Sequence, residues 1–143
     1  MTEILMATYN GEQFLREQID SILAQTEDGW HLSVSDDGST DGTIRILEEY
    51  VSRMPEKITL LQAGKAFGNA KDHFFWLIGK CEAEWMMLCD QDDRWAPEKV
   101  ATFQKTMDEA EAAYGAETPM LIFCDQTVTD AAGNLIAPSL MTY

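Results

Sequence analysis

Strand-like and helix-like patterns alternate from the first residues of this chain, and no other feature restricts its fold as much. Glu3–Thr8 reads as a strand, followed by a helix over Glu12–Gln25 with Leu15, Ile19, Ile22 and Leu23 on one face. His31–Asp36 is a second strand, followed by a helix over Asp41–Arg53 with Ile44, Leu47 and Val51 inward. Lys57–Gln62, a helix over Asn69–Lys80, and a strand over Trp85–Asp90 continue the alternation. A helix over Pro97–Tyr114, using Val100, Phe103, Met107 and Ala110, and a fifth strand over Met120–Asp125 follow. AAGN at 131–134 predicts a hairpin turn between Thr127-Val128 and Leu135-Ile136. Alternation at this spacing predicts right-handed crossovers, hence an α/β fold: a mostly parallel sheet with helices on both faces.

Such sheets bind ligands outside the carboxyl ends of their strands. The polar residues of this chain cluster at those ends: Thr8-Tyr9-Asn10, then Asp36-Asp37, then Asp90-Gln91-Asp92-Asp93. Three such ends on one rim predict one site.

The segment EWMMLCDQDDRW carries the densest chemistry. In extended backbone Asp90 and Asp92 point to one side and Gln91 to the other. Two carboxylates at the open end of a buried strand make a half-site for a hard cation, Mg²⁺ or Mn²⁺, which completes its shell with water and phosphate oxygens. The same residues also suit a solvated acidic turn ahead of a helix that Pro97 starts.

SDDGSTDG invites a calcium-hand reading, since Asp37, Ser39, Asp41, Gly42 and Glu48 occupy the loop's characteristic places. An EF-hand needs a helix before its loop, and WHLSVSD is β-branched and alternating. A strand-to-helix turn accounts for it instead, with Gly38 supplying backbone freedom and Ser39 or Thr40 a cap. Asp36 is then placed to accept a hydrogen bond from a ligand's imide or amide N–H, or both aspartates serve only the turn.

Charge narrows the partners. At 143 residues, 45% apolar and 24% charged, the chain is long enough for one domain with a real core. Its formal net charge of −15 opposes nucleic acid and anionic membranes, and small phosphorylated ligands too unless a cation reverses the local field. No run approaches a membrane-spanning length, and the N-terminus reads as a strand rather than a signal peptide. Cys81, Cys89 and Cys124 form no CxxC, so reduced thiols and a cytoplasmic location are expected.

Taken together, MATYNGEQFLREQIDSILAQT, SDDGSTDGTIRILEEY, FGNAKDHFFWLI and DQDDRWAPEKV resemble glycosyltransferase family 2, in that family's order and spacing. DQDDRW and CDQTVTDAAGNLIAPS look most like its bacterial rhamnosyltransferase-like branch, which builds cell-surface polysaccharide.

The resemblance implies the GT-A fold, a Rossmann-like nucleotide-binding sheet, and transfer of a sugar from a nucleotide-diphosphate donor to a saccharide or lipid-linked acceptor with inversion. It implies that Thr8 and Tyr9 border the donor base, with Asn10 beside them, and that one of Asp36 and Asp37 hydrogen-bonds it. It places a divalent cation between the donor diphosphate and Asp90 and Asp92, with Gln91 at the nucleotide and Asp92 the direct ligand. Asp93 orients that shell and caps the next helix. Lys71 either reaches a phosphate or lies on a solvated helix face. His73 stands where relatives often carry asparagine, and reads as a hydrogen-bonding packing residue.

The family's catalytic base has no match before Tyr143. Asp125 is the one carboxylate at a comparable strand end and reads as structural or sugar-facing. The expectation is therefore the donor-binding portion of a longer enzyme, prone to self-association, with the full enzyme at the inner face of the membrane if its acceptor is lipid-linked. A Mg²⁺-dependent nucleotidyltransferase would use the same acidic rim but wants a basic, glycine-rich loop where YNGEQFLRE stands. A non-catalytic nucleotide-binding or receiver-like domain is the remaining alternative.

Overall fold

The structure, a computed structural model, describes residues 1–62, 64 and 66–142. Tyr143, the limit set above for the catalytic base, lies outside them. The chain divides into two compact units, Met1–Gln104 and Lys105–Tyr143.

The first unit contains β1 (Thr2–Thr8), α1 (Leu15–Leu23), β2 (Trp30–Asp36), α2 (Thr43–Arg53), β3 (Ile58–Gln62), α3 (Ala70–Ile78) and β4 (Trp85–Asp90). It closes with the first turns of α4 (Lys99–Tyr114). The four strands form one parallel sheet in the order β3-β2-β1-β4. This is the expected α/β class with helices on both faces.

Strand periodicity decides which residues meet which helix. Ile4 and Met6 of β1, Leu32 and Val34 of β2, Ile58 of β3, and Met87 and Cys89 of β4 share one core. Against them pack Leu15, Ile19 and Ile22 of α1, Ile46, Leu47 and Tyr50 of α2, and Trp95 and Val100. Each fully buried aliphatic side chain here is worth about 1.5–3 kcal/mol. On the opposite face α3 lies against β1, burying Leu5, Leu77 and His73.

Register aligns the strand ends. Thr8 pairs with Asp36, and Ala7 with Asp90, so three polar termini come out at one level.

Helices start later than the apolar periodicity suggests: α1 at Leu15 rather than Glu12, α2 at Thr43 rather than Asp41, and α4 at Lys99 rather than Pro97. The residues ahead of each are spent on loop contacts. Gly11 O accepts from Phe14 and Leu15 N, and Asp41 bonds Thr43. Of α1, α2 and α3, only α3 has a side-chain cap, with Asn69 Oδ1 accepting from Asp72 N at 2.9 Å. Strand β2 leads directly into SDDGSTDG, so the calcium-hand pattern lacks its first helix.

The second unit corrects one expectation. Residues 120–125 form no strand. Leu121 and Phe123 are exposed, and among the described residues β5 (Val128–Thr129) and β6 (Leu135–Ala137) pair only with each other. Apolar alternation makes a segment competent for a ladder, but a strand persists only where another supplies the partner groups. The hairpin itself is present, displaced by about a residue on its first arm. Asp130 Oδ1 closes its turn, accepting from Ala132 and Asn134 N at 2.9 Å each.

Candidate functional site

A cleft of about 430 Å³ opens at the carboxyl ends of β1, β2 and β4. Its lining includes Thr8, Tyr9, Asp37, Gly68, Asn69, His73, Phe74, Asp90, Gln91 and Asp92. Both size and placement suit a small-molecule site in an open parallel sheet.

The loop after β1 is fastened on two sides. Towards the β2–α2 loop, Asn10 N donates to Ser39 Oγ at 2.8 Å and Asn10 Oδ1 accepts from Thr40 N at 2.9 Å. Asn10 sits at φ 48°, a left-handed conformation that asparagine tolerates. Gly11 N donates to Thr43 Oγ1 at 2.8 Å, and Glu12 Oε2 accepts from Gly42 N at 2.8 Å. Towards the acidic turn, the Gln91 amide brackets Tyr9: Oε1 accepts from Tyr9 N and Nε2 donates to Tyr9 O, both at 2.9 Å. A Cβ on Gly11 would lie 2.2 Å from Gln91 Oε1, so only glycine leaves room for that bracket. Tyr9 is 55% exposed at the rim.

The two aspartates after β2 part company. Asp36 is fully buried, and its carboxylate accepts from Thr8 Oγ1, Gly38 N, Ser39 N and Ser39 Oγ at 2.6–3.0 Å. It is consumed by the turn and absent from the cleft lining, which corrects the expectation of a ligand-facing Asp36. Asp37 faces the cleft. Its Oδ1 accepts from Phe67 N and from Gly68 N, tying the 66–69 turn to the rim.

The acidic turn is held from beneath. Buried polar residues of α1 grip both its flanks: Gln18 Nε2 donates to Cys89 Sγ at 2.7 Å, and Ser21 Oγ accepts from Trp95 N at 3.0 Å. Gln25 Oε1 accepts from Val100 N at 2.9 Å while its Nε2 donates to Ala96 O at 2.8 Å. These three are the contributors that apolar periodicity passes over. Their spacing of three and four residues along the stripe of Leu15 and Ile22 is the signal that could reveal them. Burial pushes the Cys89 thiol up to about 12.

Among the described residues, the side-chain carboxylates of Asp90, Asp92 and Asp93 accept no protein hydrogen bond and join no ion pair; nearby Arg94 pairs with Glu17 instead. Desolvation first, then the Asp92 charge, holds the Asp90 carboxyl above its ordinary range, though the side chain keeps solvent contact. Asp93 is raised by burial and by Asp90, against a smaller opposing effect of Lys99. Asp93 does not cap α4, which begins six residues later.

Two hard oxygen donors without a protein counter-ion fit a divalent cation that brings the rest of its own shell. Among the described residues no group of three His, Cys, Asp or Glu side chains could hold a metal by itself.

Lys71 stands away from the cleft. Its ammonium is 4.0 Å from Asp72 on an exposed helix face, the solvated alternative. His73, by contrast, lines the cleft and is 2% exposed, with Nε2 lacking a hydrogen-bond partner among the described residues. It is therefore not the hydrogen-bonding packing residue expected. An unpaired buried polar group of this kind costs about 1–3 kcal/mol. Asp125, in the second unit, spends its carboxylate on Gln126, Leu140 and Met141 amides at 2.8–3.2 Å, the structural option.

Residues 3–127 match the model of the family described as glycosyl transferase family 2. The chain is 39% identical over 98 residues to the dTDP-rhamnosyl transferase RfbG of Shigella flexneri, covering 66% of this chain and 34% of that protein. Its structure is similar to that of S. aureus TarS 1–349 in complex with UDP-GlcNAc, with a TM-score of 0.65 and 26% identity over 76% of this chain and 31% of that one. It is similar also to the Pyrobaculum calidifontis mannosyltransferase PcManGT in complex with GDP-Man and Mn²⁺, with a TM-score of 0.61 and 25% identity over 73% and 31% of the two chains. The chain thus spans about a third of the length of these relatives.

Proposed function

The chain belongs to glycosyl transferase family 2, and we propose that its rim cleft binds the nucleotide-diphosphate-sugar donor of a bacterial polysaccharide-building glycosyltransferase. One observation carries this reading: register and loop bracing bring Tyr9, Asp37, Asp90 and Asp92 around a single cleft of about 430 Å³. Solved relatives in complex with UDP-GlcNAc and with GDP-Man and Mn²⁺ support the ligand class.

In this reading the exposed Tyr9 ring offers its face to the base and Asp37 accepts a base N–H. Asp90 and Asp92 would hold the divalent cation, which when bound supplies charge stabilisation to the departing nucleotide diphosphate. Their carboxylates, short of protein donors, are kept in place by the Gln91 bracket and by Gln18, Ser21 and Gln25 beneath. Inversion at the sugar requires a carboxylate base on the opposite face. We place that base, and the binding of a saccharide or lipid-linked acceptor, outside residues 1–143, with the protein in the cytoplasm, at the membrane where the acceptor is a lipid. No helix among the described residues is long and apolar enough to cross a membrane.

Calorimetric titration of UDP, dTDP and GDP, with and without Mn²⁺, tests the reading on this chain and on Asp92→Ala. Binding that needs the cation and disappears in the variant is the expected result. Equal binding of monophosphate and diphosphate, or indifference to Mn²⁺, would exclude the proposed role of Asp92.

A further inference from the structure

His73 is a buried group in the cleft that the donor reading leaves unused. Its ring lies almost parallel to Phe67, with centroids 4.4 Å apart and 12° between the planes. Its Nε2 is shut off from solvent and has no hydrogen-bond partner among the described residues. Buried side-chain nitrogens in native proteins are nearly always satisfied, so an orphan lining a binding cleft points to something the cleft receives. Burial lowers the imidazole below its ordinary value against the pull of Asp37 and Asp36, favouring the neutral ring, in which one nitrogen carries a proton and one is bare.

Asp37 is the complementary half. Its hydrogen bonds from Phe67 and Gly68 both end on Oδ1, and none among the described residues reaches Oδ2. Asp37 and His73 line the same cleft, close enough for the aspartate's charge to act on the ring.

We propose that His73 is a specificity-determining residue, whose Nε2–H donates to a ring carbonyl of the nucleotide base while Asp37 Oδ2 accepts the adjacent ring N–H. The inference rests on the donor reading above. A donor beside an acceptor matches an N–H flanked by a C=O, the edge shared by uracil, thymine and guanine. Cytosine and adenine present a bare ring nitrogen beside an amino group. They would set a lone pair against the carboxylate and a donor against the imidazole N–H. A site built to satisfy polar groups rejects such a mismatch more sharply than it rejects a lost apolar contact. Because Nε2 is covered, whatever covers it must shift as the base enters.

The test is calorimetry of UDP and CDP with Mn²⁺ on the unaltered chain, His73→Phe and His73→Gln, together with ¹⁵N NMR of the two histidines. UDP should shift the His73 Nε2 resonance and bind more tightly than CDP. His73→Phe keeps an aromatic ring against Phe67 but should lose about tenfold in UDP affinity with CDP unchanged, while His73→Gln restores most of the loss. UDP binding that is equal in the unaltered chain and His73→Phe, with an unshifted Nε2 resonance, overturns the inference and leaves the donor reading standing. If the unaltered chain binds no nucleotide diphosphate, both fall together. The NMR readout needs no variant, so misfolding of either substitution does not blunt the test.

Discussion

Gln91 and Tyr9, eighty-two residues apart, are joined as two strand residues would be: the side-chain amide of one donates to and accepts from the main chain of the other, both at 2.9 Å. The acidic turn and the β1 loop are therefore tied directly to one another. Gln91→Ala should cost about 1 kcal/mol in urea unfolding, since both bonds are near solvent. Gly11→Ala expels the same amide by overlap, so in a Gln91→Ala background it should cost clearly less than on its own. Additive losses in that double-mutant cycle would contradict the bracket.

The acidic turn sets a pH dependence with a definite sign. Asp90 and Asp93 have native carboxyls raised above 3.8, so the folded chain holds these protons more tightly than the unfolded one. Their contribution to stability falls as pH climbs from the ordinary carboxylate range through the raised values, and the deficit persists at neutral pH. Mn²⁺ should relieve it. Thermal unfolding should show a larger Mn²⁺ stabilisation at neutral pH than in acid, about 2.7 kcal/mol at roughly a hundred times Kd, with Asp90→Asn and Asp92→Asn each abolishing it. The same stabilisation in acid as at neutrality would argue against these carboxylates as ligands.

The three thiols should separate by reactivity. Cys124 is exposed, Cys81 is part-buried and raised, and Cys89 is buried and pushed up to about 12. The thiolate is the reacting form. Alkylation followed by mass spectrometry should label Cys124 first, Cys81 slowly, and Cys89 only on unfolding. Early labelling of Cys89 would mean that the Gln18 contact beneath the acidic turn opens readily.

Leu121, Phe123, Leu135, Ile136, Leu140 and Met141 are each more than half exposed within the second unit. Exposed apolar side chains at this density favour association. Sedimentation velocity should show concentration-dependent self-association of this chain, reduced by Leu121→Ser with Phe123→Ser. A monodisperse monomer across the concentration range would count against it.

Period-two and period-3.6 patterns were enough to place the four parallel strands and their helices, because burial against a sheet imposes those periods on the residues themselves. The cluster of polar residues at strand ends could be read for the same reason, since the side-chain-rich rim of a parallel sheet lies where its strands stop. Tertiary structure decided the rest. Asp36 and Asp37 are adjacent and chemically identical, yet one is spent on Thr8 and Ser39 while the other faces the cleft, an outcome set by pleat and pairing. Residues 120–125 have strand composition and no ladder, because pairing is a property of two segments rather than one. Gln18, Ser21, Gln25 and the Gln91 bracket join residues seventy or more positions apart, and His73 is left unpaired only by what surrounds it. Local preference fixes how each segment can fold; which donor finds which acceptor depends on distances that exist only once the chain has closed.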